Sequence, residues 1–173
     1  RQFTQAATAG VQCLAYGEVV NTSEILSHLI EVLRLGGIAY TDGDIEIEDL
    51  GVPHQSPKTI PEGKMAVYSF FYNGKALKVG KAGPKSKARY TSQHYNSGSA
   101  PSTLAASLEN KPEGIGLTKH DVADSKEWLK QNTQRVNFII NSSLGVDVLN
   151  LVEAFLIAKL SPVYEGFDSQ RKH

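Results

Sequence analysis

An almost continuously apolar run over residues 65–72, followed at once by Asn73 and Gly74, constrains the fold of this chain more than any other feature. Such a run is typical of a strand that is covered on both faces. Asn-Gly between two such segments is a strong signal for a tight turn. We therefore predict a β-hairpin whose return strand spans residues 76–80.

The remaining patterns predict helices and further strands around this hairpin. A cap at residues 22–24 precedes an apolar stripe at helical spacing that ends at Gly36. Acidic residues alternate with isoleucine over residues 44–49, which indicates a short, half-exposed strand. A last strand is expected over residues 135–140, and helices over residues 86–95, 103–108, 124–131 and 146–160. We expect Trp128 to be a core anchor.

Together these elements predict an α/β (α+β) fold, in which a small antiparallel three-stranded sheet is flanked by helices and follows an N-terminal helical extension. Three prolines between residues 52 and 61 indicate a linker. We therefore predict an acidic N-terminal extension over residues 1–63 and a second domain over residues 64–173.

Charged residues are strongly segregated, although 18 basic and 18 acidic side chains balance overall. Residues 1–63 carry three basic and nine acidic side chains, whereas residues 64–108 carry seven basic side chains and no acidic one. The basic stretch is either a solvated face or a surface that binds phosphates. The acidic segment is a poor ligand for a nucleic-acid backbone.

Several classes of protein and site are disfavoured. Cys13 is the only cysteine, which excludes a disulfide within the chain and favours a reducing, cytoplasmic location. No apolar run of about 18 residues exists, so we expect no membrane span. The segment 80–86 fails the spacing of a nucleotide-binding P-loop. No histidine pair has the helical spacing of zinc ligands, and no Gly-x-Ser-x-Gly motif is present.

Glu153 is the most informative single residue. It lies in a predicted helix that is apolar nearly all round, and no basic residue occupies its neighbouring positions on that helix. A carboxylate in such surroundings is costly unless a partner neutralises it. That partner is either a distant arginine or a divalent cation, since hard cations prefer carboxylate oxygen.

Four short motifs follow one another in a set order. They are Ala66-Val67-Tyr68, Lys78-Val79-Gly80, Arg89, and Glu153 with Leu156-Ile157 and Pro162. In this order they resemble the GIY-YIG nuclease superfamily over roughly residues 64–166. That family has a Gly-Ile-Tyr strand, a Tyr-Ile-Gly strand, a helix with an arginine and a later helix with a metal-binding glutamate.

The resemblance implies a divalent-metal-dependent endonuclease that hydrolyses DNA phosphodiester bonds. Glu153 would hold one Mg²⁺ or Mn²⁺, and Arg89 would bind the phosphate. Tyr68 would act as general base or orient the water. Lys78 replaces the second tyrosine of the family and is the expected cation that favours the Tyr68 phenolate. The residues expected to bind nucleic acid are Lys81, Lys85, Lys87, Arg89 and Gln93.

Further positions depart from the family pattern. The family commonly has a histidine or tyrosine four residues after its arginine, where this chain has Gln93, followed by His94 and Tyr95. Spacing favours Gln93, whereas proton-transfer chemistry favours His94 or Tyr95, and we select His94 as the catalytic residue. Glu165 replaces a late asparagine. The alternative function is a catalytically degenerate nucleic-acid-binding or regulatory module on the same fold.

The expected partner is DNA. One site per chain cuts one strand, so a double-strand break needs a homodimer or two successive encounters. Residues 1–63 could supply dimer contacts, sequence specificity or a surface for a protein partner. The lysine at position 78 and the compact length favour a restriction or anti-invader enzyme.

The register of the hairpin decides whether Lys78 can act on Tyr68. With a two-residue turn at Asn73 and Gly74, Tyr68 pairs with Val79, and Lys78 lies on the other face. With a three-residue loop, Tyr68 lies across from Lys78. We predict this loop or an equivalent bulge.

Overall fold

An antiparallel sheet with helices on both faces makes up the part of the chain that the computed structural model describes, residues 20–100 and 102–164. The strands are β1 (Ile45–Asp49), β2 (Lys64–Tyr72), β3 (Lys75–Ala82) and β4 (Gln134–Asn141), in the spatial order β1-β4-β2-β3. The helices are α1 (Thr22–Leu35), α2 (Lys87–Thr91), α3 (Leu104–Asn110), α4 (Ser125–Asn132) and α5 (Val146–Leu160). Short 3-10 segments span Gln93–Tyr95, Ser97–Ser99, Pro112–Ile115 and Ser142–Leu144.

The sheet has four strands in the described residues, so the prediction of three is wrong. The additional strand is β1, the segment in which acid alternates with isoleucine. It pairs antiparallel with β4, and Ile45 lies across from Ile140. The alternation predicts a strand but does not name its neighbour, because pairing partners are set by the folded chain. Acidic side chains such as Glu46 and Glu48 on this edge strand discourage pairing with another chain.

Residues 20–63, the described part of the predicted N-terminal extension, pack against the rest of the described chain. Helix α1 begins at its cap Asn21, whose side chain accepts a hydrogen bond from the backbone N–H of Glu24. Its buried residues Leu29 and Leu33 belong to a core shared with β2, β4 and α5. The predicted boundary near residue 60 therefore falls between two strands of one sheet.

The hairpin between β2 and β3 has a two-residue turn. Asn73 and Gly74 both have positive φ angles, 47° and 74°, as the twist-matched hairpin turns require. Tyr72 and Lys75 pair directly on either side of the turn.

A register shift between Phe70 and Phe71 then changes the pairing further along the hairpin. Phe70 pairs with Lys78, and Tyr68 pairs with Gly80. The predicted three-residue loop, or an equivalent bulge placing Tyr68 across from Lys78, is wrong, because the turn has two residues and the bulge places Tyr68 across from Gly80. Tyr68 and Lys78 nevertheless share one face of the sheet, as a contact between them would require. They lie in neighbouring pairs rather than directly across from each other.

The sheet separates two apolar cores. The first core lies under α1 and α5, and the second under α2, α3 and α4. Buried residues of the first core include Met65, Val67, Val79, Phe138, Val152 and Leu156. Buried residues of the second core include Ala66, Tyr68, Phe70, Tyr90, Leu104 and Leu129.

Two local predictions need correction in the second core. Trp128 is half-buried and lies with its ring centroid 5.0 Å from that of Tyr72, whereas its neighbour Leu129 is fully buried. In a helix of eight residues, Ser125 and Leu129 share the buried face because they are four positions apart. Trp128 lies at the margin of that face and is not a core anchor.

The helix predicted over residues 86–95 is shorter than expected. It ends at Thr91 and gives way to the 3-10 turn Gln93–Tyr95. The hydroxyls of Thr91 and Ser92 donate hydrogen bonds back to the carbonyls of Lys87 and Ala88. Such bonds compete with the regular helical pattern.

The long helix at the end of the described chain agrees with its prediction over residues 146–160. No helix in the described ranges has both the length and the apolar character that crossing a membrane requires.

Candidate functional site at the β3 edge

One row of cross-strand partners leads across the whole sheet to the candidate site. Glu48 on β1 pairs with Asn137 on β4, which pairs with Tyr68 on β2, which pairs with Gly80 on β3. Cross-strand partners project to the same face of a sheet. The row therefore ends on the edge strand β3, where a glycine lies beside the buried Tyr68.

Because Gly80 has no side chain, the Tyr68 ring can occupy the space where one would lie. A Cβ atom at residue 80 would lie 2.7 Å from Cε2 of Tyr68 and 2.8 Å from both Cζ and the hydroxyl oxygen. These distances are far shorter than normal van der Waals contact. Only glycine allows the ring to lie across β3 in this position.

The hydroxyl of Tyr68 lies in the field of several charges. It donates a hydrogen bond to the backbone carbonyl of Arg89 at 3.2 Å. Burial raises the pKa of Tyr68 to about 12, while the positive charges of Arg135 and Arg89 oppose the rise and the Glu153 carboxylate adds to it. Tyr68 is therefore a neutral phenol at neutral pH. Arg89 on α2 and Glu153 on α5 both act on this one group.

Glu153 approaches β3 from the opposite face of the sheet. Helix α5 packs into the first core through Val152 and Leu156, which places Glu153 against β3. Its Oε2 atom lies 2.5 Å from Nζ of Lys81, the residue that follows Gly80. Only 19% of the Glu153 side chain is exposed. The protein partner of this carboxylate is therefore a lysine and not the distant arginine considered above.

The other predicted nucleic-acid-binding residues follow the end of β3. Lys85, Lys87 and Arg89 are exposed, and Gln93 is half-buried. The backbone N–H of Ser86 donates to the carbonyl of Gly83 in the turn before α2. This turn connects the half-buried Lys81 to the exposed basic side chains of Lys85, Lys87 and Arg89.

Lys78 lies on the same face as Tyr68 but has other partners. It is 8% exposed, and its Nζ donates to the backbone carbonyl of Tyr164 at 2.9 Å. The cations that act on the Tyr68 phenol are Arg135 and Arg89. The positive charge of Lys78 instead acts on His94.

His94 is a buried, neutral side chain beside Tyr68. The two ring centroids lie 5.2 Å apart in an edge-to-face arrangement. The Nδ1 atom accepts a hydrogen bond from the backbone N–H of Leu104 at 3.3 Å, so the proton of the neutral ring is on Nε2. Burial, with further contributions from Lys78, Arg135 and Arg89, lowers the pKa of His94 to about 3. Its Nε2 is buried without a hydrogen-bond partner among the described residues.

Tyr95, the other candidate for proton transfer, lies in a buried hydrogen-bond network. Its hydroxyl lies 2.8 Å from Nε2 of His54 and accepts from Nη1 of Arg135 at 3.0 Å. His54 belongs to the proline-rich segment that was predicted to be a linker, yet it is 3% exposed. Of Gln93, His94 and Tyr95, His94 is the one whose ring contacts Tyr68.

Arg135 is a residue of the site that the sequence patterns did not single out. It is 1% exposed, and its guanidinium carbon lies 4.9 Å from the ring centroid of Tyr68 and 5.0 Å from that of Tyr90. Such cation–π contacts stabilise a buried cation. The guanidinium also donates to the carbonyl of Tyr90 at 2.7 Å and to Oδ1 of Asn137 at 2.9 Å.

The hydrogen-bond network of Arg135 continues to β1. The amide of Asn137 donates to Oε2 of Glu48 at 2.8 Å, and the hydroxyl of Tyr90 donates to the same atom at 3.3 Å. The sequence does carry a signal for this network. Arg135 and Asn137 are polar residues inside an otherwise apolar strand. Because they are two positions apart, they lie on the same face of that strand.

A divalent metal fits this site only through a single protein carboxylate. The described residues contain no group of three or more His, Cys, Asp or Glu side chains that could enclose an ion. Magnesium in phosphate chemistry is held by one or two carboxylates together with water and substrate oxygens. Glu153 suits this mode, because it is partly exposed and already binds a cation, the Lys81 ammonium. Glu165 lies outside the described residues.

Comparisons with protein-family models, with curated proteins and with solved structures find no match for this chain.

Proposed function

We propose that this protein is a divalent-metal-dependent endonuclease of the GIY-YIG type, which hydrolyses DNA phosphodiester bonds. The observation that carries the proposal is the convergence of Tyr68, Arg89 and Glu153. They meet at two consecutive residues of β3. Tyr68 lies against Gly80, and its hydroxyl donates to the Arg89 carbonyl. Glu153 reaches Lys81 from the other face of the sheet. A phenol, a guanidinium and a carboxylate at one sheet edge are groups that phosphodiester hydrolysis can use to orient water, bind the phosphate and hold a metal ion.

The local fold supports the same proposal. Tyr68 and Gly80 correspond to the tyrosine of the first family motif and the glycine of the second, and they are direct cross-strand partners. The close approach of the Tyr68 ring to Gly80 gives a physical reason for a glycine at that position. A long apolar helix then brings the single glutamate to the same strand.

The residues of the site would divide the chemistry as follows. Glu153 would hold Mg²⁺ or Mn²⁺, which supplies charge neutralisation at the scissile phosphate and the leaving oxygen. Arg89 would bind the phosphate, because its planar guanidinium matches two phosphate oxygens. Tyr68 is fully buried with its pKa raised to about 12, so it keeps its proton at neutral pH and would orient a water that enters with the substrate rather than act as general base. His94 would hold the Tyr68 ring in place.

The surface beside the site suits a DNA backbone. Lys85, Lys87 and Arg89 are exposed, and residues 64–108 contain no carboxylate that could neutralise them locally. Exposed lysine and arginine side chains bind nucleic acid by neutralising phosphates, whatever the base sequence. A homodimer or two successive encounters would be needed for a double-strand break.

A nicking assay on supercoiled DNA tests the proposal. We expect Mg²⁺-dependent nicking by the parent protein and a loss of at least a hundredfold in Glu153→Gln and Arg89→Ala. Glu62→Gln, which removes an exposed carboxylate outside the site, is the matched control and should retain full activity. Equal, metal-independent background in the parent and in Glu153→Gln would contradict the proposal.

A second candidate function is a nucleic-acid-binding module without catalysis. Two observations favour it. The Glu153 carboxylate is already neutralised by its ion pair with Lys81, and Tyr68 is a neutral phenol at neutral pH. This module would bind DNA with an affinity that falls steeply between about 50 and 200 mM salt. Glu153→Gln would leave that binding unchanged, and neither protein would nick DNA.

A further inference from the structure

The ion pair between Lys81 and Glu153 has a consequence for metal binding. The Nζ and Oε2 atoms lie 2.5 Å apart, and 33% of the Lys81 side chain and 19% of the Glu153 side chain are exposed. The ammonium group therefore lies directly against one of the two oxygens of the carboxylate that would hold a metal ion. A divalent ion and an ammonium cannot both contact this oxygen closely, because two cations at such short range repel each other.

We propose that Lys81 occupies the cation position of Glu153 in the free protein, and that a divalent metal binds only by displacing the Lys81 ammonium group. This inference rests on the proposed function of Glu153 as the metal ligand. It adds a role for a lysine that the sequence suggested only as a contact to nucleic acid. Lys81 thus keeps the carboxylate neutralised until metal and substrate arrive.

The surroundings of the ion pair favour replacement of the Lys81 ammonium by the metal ion over the binding of both cations side by side. Among the described residues, Glu153 belongs to no group of three or more His, Cys, Asp or Glu side chains that could hold an ion. Lys81 already balances the charge of the single carboxylate. An added divalent ion would leave an excess of positive charge in a partly buried place, which is costly. Departure of the ammonium reduces this excess, and the oxygens of a bound phosphate can neutralise the rest.

Lys81 is able to leave because its side chain is partly exposed and flexible. A lysine head on a four-carbon stem can move to nearby solvent or to an anion without a change in its backbone. Lys85, Lys87 and Arg89 are exposed on the segment that follows β3. The displaced ammonium would therefore join this basic surface, where a phosphate oxygen of the substrate can accept its hydrogen bonds.

Titration with Mn²⁺ followed by electron paramagnetic resonance, in the absence of DNA, tests the competition without any reference to activity. We expect Lys81→Met to bind Mn²⁺ about three- to tenfold more tightly than the parent, since a partly exposed ion pair is a weak competitor. Lys81→Arg retains a cation and should bind Mn²⁺ no more tightly than the parent. Lys85→Met removes the same charge from an exposed position and should remain within about twofold of the parent.

The outcomes separate this inference from the proposed function. Mn²⁺ binding that Glu153→Gln abolishes, together with no gain in Lys81→Met, overturns the inference and leaves the metal site in place. An equal gain in Lys81→Met and Lys85→Met also overturns it, because the effect would then be one of general charge. Mn²⁺ binding that is unchanged in Glu153→Gln, or absent from both the parent and Lys81→Met, overturns the metal site and the inference together.

Discussion

Replacing Gly80 with alanine tests the arrangement on which the candidate site depends. The added Cβ would lie 2.7 Å from Cε2 of Tyr68 and 2.8 Å from its Cζ and hydroxyl oxygen, whereas carbon atoms in contact lie about 3.5–4.0 Å apart. The ring has little room to move, because it is 0% exposed and packs edge-on against Phe70 and Tyr90. The overlap must therefore displace either the ring or β3.

The expected cost follows from overpacking in a buried site. Forcing an extra methyl group into such a place lowers the free energy of unfolding by about 1–3 kcal/mol. For a protein of this size, each kcal/mol corresponds to about 2–4 °C in melting temperature. Without a clash, glycine to alanine would stabilise the protein by about 0.4–1 kcal/mol through the unfolded chain. The sign of the change therefore distinguishes the two cases.

Thermal and urea unfolding of three further variants complete the test. These variants are Gly98→Ala, Tyr68→Leu, and Tyr68→Leu combined with Gly80→Ala. Gly98→Ala is the control, because a Cβ there meets nothing within 4 Å, and this variant should be more stable than the parent by about 0.4–1 kcal/mol. In a Tyr68→Leu background the ring is gone, so Gly80→Ala should cost at least about 1 kcal/mol less than it does in the parent.

Two results would refute the reasoning. One is a Gly80→Ala protein as stable as the parent or more stable, which would mean that the ring does not lie across β3. The other is an equal cost in the parent and in the Tyr68→Leu background, which would show that the lost stability does not come from Tyr68.

Three further predictions concern Arg135, Tyr68 and the exposed lysines. Arg135→Met should lower the free energy of unfolding by about 2–4 kcal/mol in urea, because Asn137 and Tyr95 lose a buried partner; a change under about 0.5 kcal/mol would contradict the network. Burial holds the pKa of Tyr68 at about 12 in the folded protein, whereas an unfolded tyrosine titrates near 10. The unfolded chain therefore loses its proton first, and stability falls from pH 10 towards pH 12. Relative to Tyr68→Phe, the parent should lose about 1.4 kcal/mol between pH 9 and pH 11 in urea unfolding; parallel pH profiles would show that Tyr68 is not the group responsible. Lys85→Ala with Lys87→Ala should weaken DNA binding to a similar degree for all sequences and reduce the salt slope by about 2, measured by fluorescence anisotropy; an unchanged slope would place the DNA elsewhere.

Elements with strong local patterns could be predicted from the sequence. The apolar run before Asn73 and Gly74 predicted β2 and the position of its turn, because strand burial and turn chemistry are encoded within a few residues. The length of the turn was predicted wrongly, since it has two residues and not three. The limits of α5 followed from its apolar composition and from Pro162 beyond its end. The alternation at β1 predicted a strand, although its pairing with β4 had no local signal.

The candidate site could be predicted only in part. Tyr68, Arg89 and Glu153 were selected as a set; the Tyr68 hydroxyl donates to the Arg89 carbonyl, and Glu153 reaches β3 at Lys81, while their joint role in catalysis stays a prediction. The partner of Glu153 could not be predicted, because Lys81 lies 72 positions away in the chain. Lys78 was expected to act on Tyr68, but its amino group donates to the carbonyl of Tyr164. Contacts of this kind depend on which faces meet after folding.

The sequence by itself determined the type of most elements, the basic stretch over residues 64–108 and the presence of a glutamate in an apolar helix. These features depend on neighbours along the chain, where periodicity and turn propensity act. The tertiary structure alone decided that β1 joins the sheet beside β4, that Arg135 is buried among aromatic rings, and that Lys81 pairs with Glu153. Each of these joins residues that are distant in sequence, and their energies come from burial and charge at contacts that exist only in the folded chain.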